Sequence, residues 1–408
     1  MNIVQANKFA YYRGGAERHC LDLIKLLQQK GHQTGLFSMR HPKNLIWPDD
    51  DLFVSPVDFS NPKSFWQKLR TAGRMFYSFE AKRKFGQLLD RHRPDVVHVH
   101  NIYHQLSPSI LAAAKKRNIP VVMTLHDFKL IAPNYLLYAN GDISESTKPN
   151  RYWKVILKKE IKGSLMASVL AAKEMYFHKL FKLYENNIDL FIAPSQFMAD
   201  KVREYGVTVK RLEVLPNFLP NRDLPAISDQ GYALFLGRLA EEKGLETLLE
   251  AWKKLPNIPL KIAGTGPMEK ELKRFAQANN LKQVEFTGHK TGQELDNLTA
   301  QARLIVFPSR WYENQPLSIL EAFQYGKPVV ASNQGGIPEL VTDGINGILF
   351  PPKNPESLKQ AVADLWSNEE LRQQIRQANL EKAKQYSSDN YYQNIMGYYN
   401  ELIEQRSS

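Results

Sequence analysis

Short apolar runs alternate with helical patterns along the whole chain of 408 residues, and this alternation limits the fold more than any other feature. Many of the runs are apolar on both faces, as strands of a parallel sheet covered by helices must be. The sequence therefore predicts an α/β protein with doubly wound parallel sheets. The predicted strands span residues 2–5, 34–38, 95–100, 121–125, 190–193, 213–215, 233–236, 260–263, 284–287, 304–307, 329–331 and 348–350.

A polar, proline-bearing stretch over residues 216–228 divides the chain, and a predicted strand begins soon after it. We place one Rossmann-like domain at residues 1–220, a second at 221–385, and a terminal segment at 386–408. Two such domains would face each other across a cleft. Because ligands of these sheets bind beyond the carboxyl ends of the strands, we expect the functional residues in loops directly after strands.

The positive charge of the chain is concentrated in its first half. The net charge is +12 overall, +14 over residues 1–220 and −2 over residues 221–408. A basic half suits an anionic partner. Three classes of partner are compatible with it, namely a membrane surface, a nucleic acid and a phosphate-bearing substrate. No motif that reads DNA or RNA is found, so we predict no nucleic-acid partner.

The chain has a single cysteine, Cys20, so it forms neither an internal disulfide nor a cysteine-rich zinc site. This favours a reducing compartment. The first residues predict a strand rather than a secretion signal, and the most apolar helical stretch, residues 164–172, is far shorter than the roughly 20 residues that span a bilayer. We therefore expect a cytoplasmic protein.

Loops of the first half carry candidate binding residues. Gly14 and Gly15 follow the first strand and open a helix, where backbone amides can approach an anion, although a tight turn explains the same glycines. His126 ends a later strand, where an imidazole can bind a substrate hydroxyl or move a proton. His98 and His100 end the strand before it, but no spacing of these histidines matches a zinc site.

The first candidates in the second half are two cations. Arg238 and Lys243 lie five residues apart in a strand-to-helix loop and can converge on one anion. A second loop, with Gly264 and Gly266, allows another close backbone approach. Either loop alone is equally compatible with a capped turn. The dinucleotide fingerprint G-x-G-x-x-G is absent, which argues against an NAD enzyme.

Two glutamates in the second half form the strongest pattern. Glu313 and Glu321 are eight residues apart and lie on either side of the helix start that Pro316 predicts. The first amides of that helix, at Leu317 and Ser318, predict an anion site with one carboxylate to each side. Such a site suits a molecule with hydroxyls at both ends and a diphosphate in the middle. The alternative is a solvated loop glutamate beside an ordinary helix glutamate.

With these motifs the chain resembles glycosyltransferase family 4, a family of retaining enzymes with the GT-B fold. The matching stretches are G-G-A-E-R, T-L-H-D, A-P-S-Q-F, G-R-L-A-E-E-K-G, the two glutamates eight apart, and Y-G-K-P-V-V-A-S-N-Q-G-G-I-P-E-L-V. The resemblance implies a nucleotide-sugar donor, with UDP or GDP, bound mainly by the second domain. The donor-binding residues that it implies are Gly14, Gly15, Arg238, Lys243, Glu313, Asn314, Gln315, Pro316, Leu317, Ser318 and Glu321, and the catalytic ones are His126, Glu313, Arg238 and Lys243.

The resemblance also assigns a role to each side chain. Arg238 and Lys243 would grip the donor diphosphate and stabilise its charge as it leaves. Glu321 would bind the ribose and Glu313 the sugar hydroxyls, while His126 would line the sugar pocket. The implied reaction moves a hexose, with retention of configuration, to a glycan or polyprenyl-diphosphate-linked acceptor in polysaccharide or cell-envelope glycan synthesis.

Two further features bear on this resemblance. The last helix of the family usually returns to the first domain, and residues 386–408 are expected to do so here. The string Asp49-Asp50-Asp51 matches the D-x-D of a competing, metal-dependent class of transferases, but it follows Trp47-Pro48 in a polar loop. We interpret it as a solvated turn and expect no metal ion or other cofactor besides the donor.

An insertion over residues 140–185 departs from the family pattern, since it lacks the cysteines that some relatives carry there. Within it, residues 151–182 hold eight Lys or Arg, two Glu and many interleaved apolar side chains. Residues 63–93 form a second basic stretch with aromatic residues. Both patterns are compatible with an anionic leaflet, which would make the protein peripheral on the inner face of the cell membrane. Alternatively, these helices simply pack on the sheet.

Two other classes of function stay open from the sequence. The basic half allows a non-catalytic module that binds membrane or nucleic acid. The same architecture also serves phosphorylases and nucleotide-sugar epimerases, although nothing here points to a pyridoxal lysine.

Overall fold

The structure is a computed structural model that describes residues 1–56, 72–221 and 223–407. The predicted α/β architecture is confirmed by two six-stranded parallel sheets, which contain all twelve predicted strands within one residue of their predicted ends. The chain divides into two compact units. Unit 1 comprises Met1–Ala139, Ser144–Asn217 and Ser388–Ser408, and unit 2 comprises Asn140–Ile143 and Phe218–Ser387.

The strand bounds define both sheets. The strands are β1 (Asn2–Ala6), β2 (Gln33–Phe37), β3 (Val96–Val99), β4 (Val121–Thr124), β5 (Tyr138–Ala139), β6 (Asp142–Ile143), β7 (Leu190–Ala193), β8 (Leu212–Val214), β9 (Ala233–Leu236), β10 (Leu260–Ala263), β11 (Val284–Gly288), β12 (Leu304–Phe307), β13 (Val329–Ser332) and β14 (Ile348–Phe350). The unit 1 sheet has the order β2-β1-β3-β4-β7-β8, and the unit 2 sheet has the order β11-β10-β9-β12-β13-β14.

Helices connect successive strands, as parallel pairing requires. They are α1 (Gly15–Gln29), α2 (Phe79–His92), α3 (Ser109–Lys116), α4 (Lys154–Leu157), α5 (Leu165–Leu180), α6 (Gln196–Glu204), α7 (Leu245–Trp252), α8 (Glu269–Ala278), α9 (Gly292–Gln301), α10 (Leu317–Gln324), α11 (Ile337–Leu340), α12 (Pro355–Ser367), α13 (Glu369–Gln385) and α14 (Ser388–Ser407). Residues 72–76 are also helical. In the described ranges, no helix is both long and apolar enough to span a bilayer.

The unit 2 sheet is covered on both faces, which explains why its strands are apolar throughout. Along β9, Ala233 and Phe235 point into one core, whereas Leu234 and Leu236 point into the other. Trp252 at the end of α7 is fully buried in the first core, and its Nε1 donates to Ile258 O at 2.9 Å. Burying a large apolar side chain of this kind contributes about 1.5–3 kcal/mol.

Helix α14 belongs to unit 1 and hydrogen-bonds to its sheet. Tyr399 OH lies 2.6 Å from His98 Nδ1 on β3, and Tyr391 OH lies 3.1 Å from His19 Nε2 on α1. Glu401 pairs with Arg211 at 2.6 Å. The last helix is therefore held within unit 1 by buried hydroxyl–imidazole contacts as well as by a surface ion pair.

The interpretation of Asp49–Asp51 as a solvated turn is wrong for Asp49. A short helical turn does form at Asp50–Leu52, but Asp49 is only 5% exposed. Arg91 Nη1 and His92 Nε2 on α2 lie 2.9 Å and 2.7 Å from its two carboxylate oxygens. These partners are distant in sequence, so the local composition gave no sign of them.

The insertion folds onto unit 1 through α4 and α5. Ser164 caps the first turn of α5 by accepting a hydrogen bond from Ala167 N at 3.3 Å. Of the second basic stretch, residues 63–71 lie outside the described residues, and the remainder forms residues 72–76 and α2.

Candidate functional site

The loops after β9 and β12 hold an ion pair at the carboxyl edge of the unit 2 sheet. These strands are parallel neighbours, so the loops leave the sheet side by side. Lys243 lies in the turn Glu241–Lys243 after β9, and Glu313 lies in the loop after β12. Lys243 Nζ is 2.7 Å from Glu313 Oε1. The sequence predicted both residues as candidates but not their contact.

The Glu313 carboxylate is buried and held in its charged form. The residue is 7% exposed, and Ser309 Oγ donates to Oε1 at 2.7 Å. Burial raises the pKa of Glu313, but the charge of Lys243 and the hydrogen bonds from Lys243 and Ser309 outweigh burial and keep that pKa below its usual value. The Lys243 ammonium also lies 5.0 Å from the Trp311 ring centre, a favourable cation–π distance.

Gly244 lets the turn with Lys243 approach the end of β12. Its φ of 71° is left-handed, and a Cβ there would lie 1.8 Å from Pro308 O. Only glycine fits this contact. The close approach of the two loops is thus set by the backbone, and it brings the Lys243 side chain within reach of Glu313.

Arg238 lies in the same loop but contacts a different glutamate. Its guanidinium pairs with Glu242, four residues further on, and its side chain is 59% exposed. In the structure each of the two cations therefore contacts a glutamate of its own. Their joint role toward a diphosphate stays a prediction.

The helix start after Glu313 lies where the sequence places it. Leu317 is the first residue of α10, and Pro316 precedes it with an extended backbone. Glu321 lies on α10 and is 8% exposed. The remaining candidates of this segment are Asn314 and Gln315 in the loop and Ser318 in the first turn.

A third loop, after β13, fixes the position of Glu313. Gly336 N donates to Glu313 O at 2.7 Å. A Cβ on Gly336 would lie 1.9 Å from Asn314 O. The glycine pair at 335–336 therefore supports the loop that carries the candidate carboxylate.

Replacing Gly336 by alanine is expected to displace the loop at 313–316. It should lower turnover of the nucleotide sugar that the family resemblance implies by about 10²-fold, since a shift of about 1 Å can cost that much. The matched control is Gly397→Ala on α14, where an added Cβ meets nothing within 4 Å. Turnover and thermal unfolding of both variants separate a displaced loop from a general loss of stability. Unchanged turnover in Gly336→Ala would contradict this role.

Gly14 and Gly15 begin α1 in unit 1. Gly14 is the N-cap with an extended backbone, at φ −159°, and Gly15 is the first helical residue. Neither has a left-handed φ, so the backbone conformation does not itself require glycine at these positions. Their expected approach to the donor diphosphate stays a prediction.

His126 follows β4 in unit 1 and is oriented by a chain of hydrogen bonds. Gln5 Oε1 accepts from His100 Nε2 at 2.8 Å, which leaves His100 Nδ1 to accept from His126 Nε2 at 2.9 Å. His126 then carries its proton on Nε2 and presents Nδ1 as an acceptor. This is the tautomer that can accept a hydrogen bond from a hydroxyl.

Buried histidines form a neutral layer beside His126. The rings of His98 and His100 stack with centres 4.5 Å apart, and those of His100 and His126 with centres 5.2 Å apart. Burial lowers the pKa of His19 to about 3, and burial together with the charge of His19 lowers that of His98 to about 3. Burial also holds the pKa of His100 and His126 well below the usual range.

Three of these histidines are close enough to be considered as metal ligands. Nitrogens of His19, His100 and His126 lie within 4.8 Å of one another. Bound zinc needs Zn–N distances of about 2.0–2.1 Å, and both ring nitrogens of His100 are already hydrogen-bonded, to His126 and to Gln5. Coordination of a metal ion by His100 would break one of these hydrogen bonds. The three histidines therefore fit a hydrogen-bond network better than a metal centre.

The histidine layer is expected to make unit 1 sensitive to acid. In the unfolded chain His19 and His98 titrate near pH 6.5, whereas in the folded state both stay neutral to about pH 3. Below about pH 6.5 the unfolded state therefore binds more protons. The contribution of these histidines to the free energy of unfolding is fully present above that pH. Below it, the contribution falls by about 1.4 kcal/mol for each histidine and each pH unit. Lowering the pH from 7.5 to 5.5 should therefore decrease the free energy of unfolding by about 3 kcal/mol through His19 and His98 alone.

Thermal unfolding at pH 7.5 and 5.5 checks this expectation. The variant His98→Gln, which removes one titrating ring, should show a smaller decrease in Tm between the two values. An equal Tm at both pH values in the wild type would contradict the neutral layer.

Several residues of both sites were missed by sequence reasoning. They are Ser309, Trp311, Gly244 and Gly336 around Glu313, and Gln5 and His19 around His126. Ser309 and Trp311 lie within the stretch already singled out, so proximity in sequence was a usable signal. Gln5 had none, because its contact with His100 depends on the pairing of β1 with β3.

Two protein-family models match consecutive parts of the chain. The model described as Glycosyltransferase Family 4 matches residues 13–220, which is more than half of the chain. This chain belongs to glycosyltransferase family 4. The model described as Glycosyl transferases group 1 matches residues 221–382 of this glycosyltransferase.

Relatives and solved structures agree with the assignment. An uncharacterized glycosyltransferase of Methanocaldococcus jannaschii is 28% identical over 310 residues, which is 76% of each chain. The O-antigen chain mannosyltransferase C of Escherichia coli is 26% identical over 249 residues, 56% of this chain and 67% of the relative. The Anabaena protein HepE, solved in complex with UDP, aligns with a TM-score of 0.68 at 18% identity over 98% of this chain and 100% of its own. The glycosyltransferase therefore has the GT-B fold, with two Rossmann-like domains.

Proposed function

We propose that this glycosyltransferase moves a hexose from a UDP- or GDP-sugar to a glycan or polyprenyl-diphosphate-linked acceptor, with retention of anomeric configuration, in polysaccharide or cell-envelope glycan synthesis. The observation that carries the proposal is the Lys243–Glu313 pair at the carboxyl edge of the unit 2 sheet, in which the carboxylate is buried and the lysine is partly exposed. A fixed cation suits a diphosphate, and an ionised carboxylate suits sugar hydroxyls. A nucleotide sugar carries both groups in one molecule.

The proposed catalysis is mainly electrostatic. As the bond between the anomeric carbon and the diphosphate oxygen breaks, negative charge grows on the leaving diphosphate. Lys243 is already positioned by Glu313 and the Trp311 ring, so little reorganisation is needed when that charge develops. Arg238 is exposed and pairs with Glu242 one turn away, so it can exchange this surface partner for a phosphate oxygen.

The two glutamates have different proposed roles. Glu313 is hydrogen-bonded by Lys243 and Ser309 through one oxygen, Oε1. We assign its carboxylate to the hydroxyls of the donor sugar and Glu321 to the ribose. Neither is assigned as a nucleophile. His126, whose Nδ1 can accept a hydrogen bond, is proposed to bind a sugar hydroxyl.

The relatives support parts of this proposal. HepE is a protein solved with UDP, and the Escherichia coli relative is a mannosyltransferase of O-antigen chains. The first relative supports a nucleotide as part of the donor, and the second supports a glycan as the product. We expect transfer to need no metal ion, so that a chelator leaves the rate unchanged.

The test is turnover of UDP- and GDP-hexoses with a polyprenyl-diphosphate-linked monosaccharide or an oligosaccharide as acceptor. We expect one donor to release its nucleoside diphosphate and to give a glycoside whose anomeric configuration, read by NMR, equals that of the donor. An inverted product would contradict retention. An isomerised donor without transfer would favour an epimerase, and no turnover with any donor and acceptor would contradict the proposal.

A further inference from the structure

Helix α5 of the insertion is inverted relative to an ordinary surface helix, because charged and polar side chains face the protein and large apolar side chains face outward. The side that faces the body of unit 1 carries the polar residues Ser168, Glu174 and His178, and its buried apolar residues are Ala171, Ala172 and Met175. The opposite side, an arc of about 140° at 100° per residue, holds one charged residue, Lys173. Its other members are apolar or aromatic and are Leu165, Met166, Val169, Leu170, Tyr176, Phe177 and Leu180.

A buried ion pair explains why the polar side faces inward. Glu174 is fully buried, and Lys129 Nζ donates to its Oε2 at 2.8 Å. His104 Nε2 lies 3.1 Å from the same oxygen. Burial would raise the pKa of Glu174, but these partners lower that pKa, so the Glu174 carboxylate stays ionised. Turning the helix over would leave Lys129 buried and unpaired, and the apolar side is thus fixed outward.

The outward side of α5 lies beside the start of α4, since Trp153 N donates to Tyr176 OH at 3.3 Å. We call this side, together with the exposed side chains of residues 153–162 and 181–182, the apolar–basic face. Met166 is 81% exposed, Leu180 76% and Leu157 72%. The other exposed apolar or aromatic members are Trp153, Leu165, Tyr176 and Phe181, and the exposed lysines are Lys158, Lys159, Lys162, Lys173 and Lys182. Soluble surfaces rarely group so many large apolar residues without a partner.

The charge of this face has one sign. Within residues 151–182, every exposed charged residue is Lys or Arg. The two acidic residues are buried: Glu174 pairs with Lys129, and Glu160 accepts hydrogen bonds from Asn134, Ser144 and Ser146. The segment before α2 borders the face, because the rings of Phe76 and Phe177 meet edge-on with centres 5.4 Å apart.

We propose that the apolar–basic face binds the surface of a bilayer that contains anionic lipids. Apolar side chains would enter the headgroup boundary while the lysines meet lipid phosphates, as interfacial helices do. A second copy of the chain is a poorer occupant, because a two-fold contact would place lysines against lysines. The proposal needs no sugar transfer and stands apart from the proposed reaction.

The test is sedimentation of the full chain with phosphatidylcholine vesicles that do or do not contain phosphatidylglycerol. We expect binding only with phosphatidylglycerol, weakened by salt. The triple variant Lys158→Gln/Lys159→Gln/Lys162→Gln should bind about 10²-fold more weakly, at about fivefold per lysine. The double variant Met166→Gln/Leu180→Gln should lose at least about tenfold.

Matched controls lie in unit 2. Ile345→Gln changes an exposed apolar residue outside the face, and Lys254→Gln/Lys270→Gln/Lys384→Gln changes the net charge by the same amount as the triple lysine variant of the face. Neither should weaken binding as the face variants do. Absence of binding to phosphatidylglycerol vesicles, or equal losses in face and control variants, would overturn the proposal. The chain could instead self-associate in solution without binding lipid. If Met166→Gln/Leu180→Gln abolishes that self-association, the proposal is overturned in favour of a second copy as the occupant of the face.

Discussion

Replacing Lys243 by alanine is expected to lower kcat/KM for sugar transfer by about 10²- to 10³-fold, the loss typical of a group that stabilises charge in a transition state. The reason is twofold. The leaving diphosphate loses a fixed cation, and Glu313, which is 7% exposed, loses the partner that keeps it ionised. Steady-state kinetics with saturating acceptor measures the effect.

The control for this prediction is another lysine–glutamate pair of unit 2. Lys254 pairs with Glu356, and both side chains are more than half exposed, so Lys254→Ala should change kcat/KM by less than about twofold. Glu313→Gln adds a second comparison, because it keeps the side-chain shape while removing the charge. Equal kcat/KM for wild type and Lys243→Ala would contradict the assignment of this pair to the donor.

Replacing Lys129 by methionine is expected to destabilise unit 1 by about 3–5 kcal/mol, since a buried carboxylate would remain without its counter-charge. Lys129 is 2% exposed and Glu174 is fully buried. The single change should also weaken the docking of α5, because Glu174 lies on the inward side of that helix. Urea unfolding followed by circular dichroism measures the loss.

The double variant Lys129→Met/Glu174→Leu should recover most of that stability, because apolar residues of similar size often replace a buried ion pair at little cost. The surface pair Lys148–Glu204 provides the control, and Lys148→Met should cost less than about 1 kcal/mol. A double variant that is as unstable as the single one would contradict the ion-pair explanation for the inverted helix.

The sheets could be predicted because their strands carry the information locally. β9 is Ala-Leu-Phe-Leu and is buried on both faces, and its predicted ends agree with the structure. What the pattern does not reveal is which strands become neighbours. Lys243 and Glu313 are 70 residues apart and meet only because β9 pairs with β12. The candidate residues were therefore predictable, but their contact was not.

Helix α5 shows a second limit of sequence reasoning. Its interleaved basic and apolar residues indicate an amphipathic segment, but hydrophobicity alone predicts that the apolar side faces inward. The observed orientation depends on Glu174 meeting Lys129, a contact across 45 residues of chain. Asp49 is a similar case, since its burial depends on Arg91 and His92.

Binding of nucleotides to unit 2 is the most direct test of the central claim. Thermal unfolding should be measured with UDP, GDP and their hexose conjugates for wild type, Lys243→Ala and Lys254→Ala. A ligand at 100 times its Kd stabilises the folded state by about 2.7 kcal/mol. We predict that one nucleotide class raises the Tm of wild type and Lys254→Ala but not of Lys243→Ala; no shift with any nucleotide, or an equal shift in all three proteins, would contradict the account.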